Sequence, residues 1–454
     1  MFKVKKDKIL VLPVEIQNRE LEAKLNLAFK AVERDFRVII GDQKIITRNI
    51  HKIKRGFYLD KSVALTKKKF FSLLKCLGFK VYALCEEGLV YRNKEKYLTE
   101  RVSLESLLLV ENFFCWGVQQ RDDILTKSDA SKKLVVAGNP RFDLLKPHFT
   151  QLWEKKARNF ATKYNDYVLI NTNFSRFNKI DHMPDVVEIL SRRGTINLKN
   201  KQDIDYYVGL VNHLETLFHE FIQLIDFLAN ELKSYNIVIR PHPSENIKPY
   251  TFLAKKYENV FIEDKGNIVP LIMASGTVIH NSCTTGLESA ILGKNVLSYM
   301  PTQNEKYDSY LPNAVSTKFA SKHQSIGLIN SEKKPVHTNA IHDFVDLRNS
   351  KSSSDIIINT MLSNPYDFKF SFKEFFARLV LKTVRFAASL IREFYRPTDK
   401  IKMNKFNGVS LETIQEIIYD LNRIHNKGAL NRIVVKNYKN LQNVFILDKE
   451  KIKK

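Results

Sequence analysis

Residues 237–246 (IVIRPHPSEN) constrain this chain more than any other stretch. Ile237, Val238 and Ile239 make a β-branched run, and the prolines at 241 and 243 then remove backbone donors that a central strand needs. The strand must stop there, and it stops by presenting Arg240, His242 and Ser244 together. Ligands of open α/β sheets collect beyond the carboxyl ends of strands, so such an ending fits a polar pocket. A turn that merely exposes an imidazole is the competing reading.

The flanking sequence supplies the rest of an α/β pattern. A buried-strand run over 8–14, apolar positions at helical spacing over 19–34 and a second strand over 36–40 make a βαβ opening without the GxGxxG fingerprint of dinucleotide sites. Glu15, Arg19 and Asp42 fall at the ends of these strands, facing one rim, with salt-bridged helix starts the competing reading for Glu15 and Arg19. A helix over 67–77 leads into the strand beginning at Lys80, which runs straight into Glu86, Glu87 and Gly88. Acids at the end of a buried strand must be solvated, paired or functional, and a desolvated one can act as a general base. Strands over 113–117 and 133–138 follow, and a composition break over 146–165 precedes a second alternation that starts at Tyr167.

In the second half a polar stretch over 174–201 reads as a mobile loop, and 204–232 as a long packing helix. Strand, hydroxyl-rich turn and helix follow one another over 277–293 (TVIHNSCTTGLESAILG). Asn281, Ser282, Thr284 and Thr285 there can meet an anion at the helix start, whereas Thr285 with Glu288 can instead form a capping box. Glu288 is alternatively placed to bind ribose hydroxyls. Residues 369–402 carry an apolar stripe (Phe372, Phe375, Phe376, Leu379, Phe386, Leu390, Ile391, Phe394) with nine Lys or Arg against three acids. Such a helix either lies on an anionic membrane or packs its stripe across the domains.

Charge narrows the partners. A formal net charge of +24 over 454 residues attracts phosphates on nucleic acid, lipid or sugar nucleotide, and does not choose among them. Cys76, Cys85, Cys115 and Cys283 are dispersed without a CxxC pair, which argues against a zinc site or disulfide framework and suits a reducing cytoplasm. No run of about 18 apolar residues occurs, so nothing is expected to span a bilayer, and the short apolar run over 9–16, which contains Glu15, reads as a strand and not a signal peptide.

With these residues placed, the chain resembles bacterial GT-B glycosyltransferases. Glu86-Glu87-Gly88, then His242-Pro243, then Ser282 with Thr284 and Thr285 are similar to the acidic, HP and Ser/Thr motifs of CMP-sugar-dependent sialyl and Kdo transferases, and to surface carbohydrate biosynthesis proteins. Residues 138–143 (GNPRFD) resemble a segment of CDP-glycerol glycerophosphotransferases. Two departures stand out: Cys283 interrupts the Ser/Thr pair, and Glu-Glu replaces the commoner Asp-containing pair.

The resemblance implies two Rossmann-like domains facing a cleft, an acceptor domain over 1–150 and a nucleotide-sugar domain over 160–335, with a basic helical extension over 366–454. It implies transfer of a sugar, an ulosonic acid by preference, from a CMP-linked donor to a glycan or glycolipid acceptor. Glu86, or else Glu87, takes the acceptor proton; His242, with Ser282, Thr284 and Thr285, meets the departing phosphate. Asn173, Arg240, Ser244, Asn281 and Glu288 are donor contacts in this reading, and Glu15, Arg19 and Arg141 acceptor contacts. No metal or cofactor beyond the nucleotide sugar is implied, no nucleic acid partner is expected, and the place of action is the cytoplasm, peripheral to the inner membrane. The alternatives are a CDP-polyol phosphotransferase and a non-catalytic membrane- or nucleic-acid-binding protein.

Overall fold

A computed structural model describes residues 8–181, 183–331, 341–345, 351–364, 372–394, 406, 408–425 and 433–450. They fall into two compact units, one drawn from the segments 1–86, 101–144 and 346–454, the other from 87–100 and 145–345. Both are Rossmann-like α/β units.

The first unit is built on β1 (Lys8–Val14), β2 (Phe36–Asp42), β3 (Phe57–Asp60), β4 (Lys80–Leu84), β5 (Phe113–Cys115) and β6 (Leu134–Val136), parallel and in the order β2-β1-β3-β4-β5-β6. Strands buried on both faces need continuous apolar runs, and Ile9 to Leu12 and Val38 to Ile40 provide them. The chain winds one way from β1 to β2 and the other way from β1 to β3, so a topological switch point lies between β1 and β3. β3, the four residues FYLD, carries no run long enough to be read from sequence.

The second unit holds β7 (Tyr167–Asn171), β8 (Asn236–Arg240), β9 (Val260–Ile262), β10 (Thr277–His280), β11 (Asn295–Tyr299) and β12 (Thr317–Phe319). All six are parallel, in the order β12-β11-β10-β7-β8-β9. Counted from β7 this is the dinucleotide-binding strand order, and its switch point lies between β7 and β10. The helix Lys201–Glu231 buries Leu210, Leu214, Leu217, Phe221, Leu224 and Leu228 in the apolar core of this unit, at the spacing the sequence predicts.

The C-terminal region departs from a purely helical extension. It has the helices Phe372–Phe394 and Leu411–Ile424, but also β13 (Ile433–Asn437) and β14 (Val444–Lys449). β14 runs antiparallel to β2 and β13 pairs with β14, extending the first sheet to eight strands. Gly41 permits this close approach, because a Cβ there would lie 2.1 Å from the Asn443 carbonyl oxygen.

The helix Phe372–Phe394 is mounted with its polar side inward. Glu374 meets Arg55 at 2.8 Å and Arg378 at 3.1 Å. The Arg378 guanidinium donates to the carbonyls of His51, Ile53 and Leu77, and Arg385 donates to that of Thr47. The apolar stripe points to solvent, with Phe372 80%, Phe376 64% and Val384 58% exposed. Over its described side chains the helix buries its polar side and leaves Phe372, Phe375, Phe376 and Leu379 of the stripe exposed. The side chains of Phe386, Leu390, Ile391 and Phe394, and residues 369–371 and 395–402, lie outside the described residues.

Candidate active site

At the switch point of the second unit, Asn171 ends β7 beside His280, which ends β10. The chains leaving these two ends part company, which opens a crevice lined by both loops. Asn171 spans it, donating to Thr285 Oγ1 at 2.9 Å and to Cys283 Sγ at 3.3 Å. Ser282 turns the chain with φ of 53°, a left-handed conformation that costs a non-glycine residue roughly 1–3 kcal/mol and is found where a site demands it. Its hydroxyl exchanges hydrogen bonds with the Asn313 amide, which also accepts from Ser298 at 2.8 Å.

That turn also sets where the next helix starts. The helix is Thr284–Ile291 and its N-cap position falls on Cys283, so the capping box anticipated for Thr285 and Glu288 does not form; both are buried within the helix. Burial pushes the Cys283 thiol up, against hydrogen bonding from Asn171, and keeps it neutral. Asn281, 4% exposed, is the outlier of the crevice: neither its Oδ1 nor its Nδ2 has a hydrogen-bond partner among the described residues. An orphaned buried amide is costly, and a group that fits it would be bound.

Beneath this turn His280 is fully enclosed, its Nε2 2.8 Å from the Ser316 hydroxyl. Burial drives its pKa down to about 3, so the imidazole is neutral. Gly286 makes the room, since a Cβ there would sit 2.4 Å from His280 Nε2.

His242 sits on the neighbouring strand end, half-buried after β8. The Ser244 N–H donates to its Nδ1 at 3.2 Å. A backbone N–H can only donate, so Nδ1 is the acceptor and the neutral ring carries its proton on Nε2, ready to donate to an oxyanion. The turn that holds it is organised by Glu245, a residue the sequence reading passed over. Glu245 accepts from the N–H groups of His242 (3.2 Å) and Phe174 (2.9 Å), from Thr172 Oγ1 and from the Tyr250 hydroxyl (2.6 Å). Burial raises its pKa against these four sets of donors. It thereby ties the loop after β8 to the loop after β7, and Asn178 and Asn246 add two further cross-links. The segment following Phe174, expected as a mobile loop, is anchored at its start for that reason. An acid three residues after a histidine in a tight turn is the sequence signal that points to Glu245.

The anticipated donor contacts divide accordingly. Asn173, His242, Ser244, Asn281 and Ser282 lie on the carboxyl-end loops of three adjacent strands, β8, β7 and β10, and Thr284 and Thr285 open the helix that follows β10. Arg240 is committed elsewhere: its guanidinium donates to the carbonyls of Glu263, Lys265 and Gly266 at 2.6–2.9 Å and holds that turn. Glu288 is 5% exposed on the inside of its helix.

The first unit gathers charge at its switch point. Lys24 reaches back to the Pro13 carbonyl (2.6 Å), to Glu20 (2.9 Å) and to Glu86 (3.9 Å). Burial works to raise the Glu20 carboxyl, but Lys24 and Arg19 prevail and hold it below the usual range. Glu20 also accepts from the N–H groups of Glu15 and Ile16, closing the start of the helix Gln17–Glu33. Glu15 pairs with Lys61, whose carbonyl accepts from the Glu86 N–H. Glu15 and Arg19 are both ion-paired, as the reading of salt-bridged helix starts expects. Glu86 is 7% exposed and its Oε2 has no hydrogen-bond partner among the described residues, whereas Glu87 is half-exposed and belongs to the second unit. Arg141 is half-buried in the turn capped by Asn139, and Asp143 of the same segment accepts from Ser353 and Ser354 at the start of the helix Ser353–Ser363.

No family model matches this chain, and no curated protein does. Among solved structures it is similar to UDP-GlcNAc 2-epimerase from Neisseria meningitidis bound to UDP-GlcNAc, at 17% identity over 79% of this chain and 100% of that one, with a TM-score of 0.47. It is also similar to S. aureus MnaA with UDP (14%, 80% and 100%, 0.48) and to the wall teichoic acid polymerase TagF (12%, 80% and 89%, 0.46).

Proposed function

We propose that this chain is a glycosyltransferase of the two-Rossmann-domain plan, taking a sugar from a nucleotide-activated donor held at the second unit's switch point. The observation that carries the reading is Asn281, a buried amide with both ends unpartnered, on the loop that also presents the strained Ser282. Nucleotide recognition uses such a group, since an amide supplies a donor and an acceptor together. His242, with its proton on Nε2, donates to the departing phosphate, and Ser282 and Thr284 add hydroxyl donors. Glu86 takes the acceptor proton, its buried unsatisfied oxygen being the lone pair that the step needs. A CMP-linked ulosonic acid is the donor the motifs favour and a surface glycan or glycolipid the acceptor.

The test is release of CMP from a panel of CMP-ulosonic acids and CDP-polyols. Turnover of the ulosonic acids that is lost in His242→Asn and Glu86→Gln supports the reading. Turnover of the CDP-polyols alone replaces it with phosphoryl transfer, and absence of any nucleotide binding removes it.

The outward stripe of the helix Phe372–Phe394 supports an anionic membrane surface as the place of this activity. Large apolar side chains on a solvent face, with Lys373 and Lys382 exposed beside them, are the composition of an interfacial helix. Among the described residues no helix is long and apolar enough to cross a membrane. Flotation with phosphatidylglycerol vesicles checks this: co-flotation that Phe375→Ser with Phe376→Ser abolishes is the expected result, and wild-type protein that stays at the bottom at low salt defeats it.

A further inference from the structure

The second unit contains a group of cations that the reading above does not use. Lys96 lies 5.1 Å from the Tyr206 ring centroid and 5.6 Å from that of Tyr207. Arg176 lies 5.9 Å from Tyr207 on the same cluster, and Lys306 lies 5.6 Å from both Tyr206 and Tyr307. Tyr206 and Tyr207 are buried and stand edge to face at 5.1 Å, so they form a fixed floor. Gly209 seats this floor, because a Cβ there would meet the Tyr307 hydroxyl. Arg92 is the fourth cation, and its Nε is enclosed without a hydrogen-bond partner among the described residues. Burial, and then the nearness of Arg176, pull the Arg92 guanidinium down to about 10.

Three acids stand in this neighbourhood, and each has a partner. Asp203 pairs with Lys96, Glu100 accepts from the Tyr207 hydroxyl, and Asp308 meets His213 at 2.9 Å. Arg92, Arg176 and Lys306 have no carboxylate within 4.0 Å among the described residues. Asp308 and Glu100 act on Arg92 only from beyond ion-pair distance, so the two guanidiniums still repel one another, and Arg92 keeps an enclosed N–H unsatisfied. A planar fork of this kind matches an oxyanion.

We propose that Arg92 and Arg176, over the floor of Tyr206 and Tyr207, form a receiving site for an oxyanion carried by a substrate, either a phosphate or a sugar carboxylate. Arg176 lies on the loop that follows β7, two residues beyond Phe174, whose N–H is held by Glu245. The site therefore stands on the same loop as Asn173 but uses different side chains from the switch-point crevice. It stands independently of the nucleotide reading.

Calorimetric titration of the full chain with inorganic pyrophosphate and, separately, with free N-acetylneuraminic acid tests it. The wild type is expected to bind at least one probe, and Arg92→Gln or Arg176→Gln to weaken that binding by about tenfold or more, as loss of a charged hydrogen bond implies. Asn281→Ala, which disarms the crevice, is expected to leave this binding in place and so separates the two sites. Arg176→Lys guards against misfolding: it keeps the charge, loses the fork and gives an intermediate affinity. Preference for pyrophosphate assigns the site to a phosphate, and preference for the sugar acid to a carboxylate. Binding of neither probe, or binding unchanged in both glutamine variants, overturns the proposal.

Discussion

The two switch points are made of different material. In the first unit the strand ends converge on charge: Glu15 with Lys61, and Glu20 with Arg19 and Lys24, the last reaching toward Glu86. In the second they converge on neutral amides and hydroxyls, Asn171, Thr285, Ser282 and Asn313, with one amide left over. A network of ion pairs fixes the backbone, and within it Glu86 keeps one carboxylate oxygen without a hydrogen-bond partner among the described residues. A neutral network with an orphan has its capacity turned toward whatever enters. Under the proposed function, the second is where the donor would be received, and the first holds the backbone around Glu86.

The largest way to break this contrast is to unbalance the charges. Glu20→Ala strands Lys24 in the interior and leaves two backbone donors, the N–H groups of Glu15 and Ile16, without their acceptor, and is expected to destabilise the protein by about 3–5 kcal/mol in urea unfolding. A loss below about 1 kcal/mol would show that the network contributes little. Next comes Glu245→Ala, expected to cost about 2–3 kcal/mol by leaving buried N–H groups unmet and to lower turnover by releasing His242. Glu245→Gln should recover part of both, since it keeps one acceptor oxygen.

Acid sharpens the comparison, because His280 lies under the neutral crevice. Its folded pKa, about 3, is below that of an exposed histidine near 6.5. The unfolded chain therefore binds the extra proton between these values, and the stability this histidine contributes is full above about pH 6.5 and lost as pH falls toward 3. His280→Gln should flatten that part of the stability curve, and an unchanged slope would contradict a neutral buried ring. The smallest effect on folding belongs to Asn281→Ala. It removes an unsatisfied group and is expected to change stability by less than about 1 kcal/mol while lowering nucleotide affinity about tenfold.

How much of this was legible follows from where each signal is stored. The strands with β-branched runs, such as 237–239, and the stripe of the helix Lys201–Glu231 are written in local pattern, and the Asn281–Thr285 turn is marked by its hydroxyls. β3 is too short to show a pattern, so the first unit's switch point was hidden with it. β13 and β14 lay inside what composition describes only as a lysine-rich end. Glu245 looks like a surface acid because Thr172 and Phe174 are distant in sequence, and Glu20 looks like an ordinary helix-face acid beside Arg19 and Lys24 until the fold buries it. For the helix Phe372–Phe394 the periodicity reveals a stripe but not which side is mounted; that is decided by three carbonyls, of His51, Ile53 and Leu77, which only the fold brings under Arg378.

β14 has a consequence for the order in which the molecule is made. It covers the edge of β2, yet almost the whole chain separates the two in sequence. During synthesis the 145–345 segment emerges complete while β2 still shows a bare hydrogen-bonding rim, an invitation to pairing with other chains. The later-encoded unit is thus able to finish folding first, and the earlier one is sealed only once β14 has been made, a closure made slow by the length of loop it must gather.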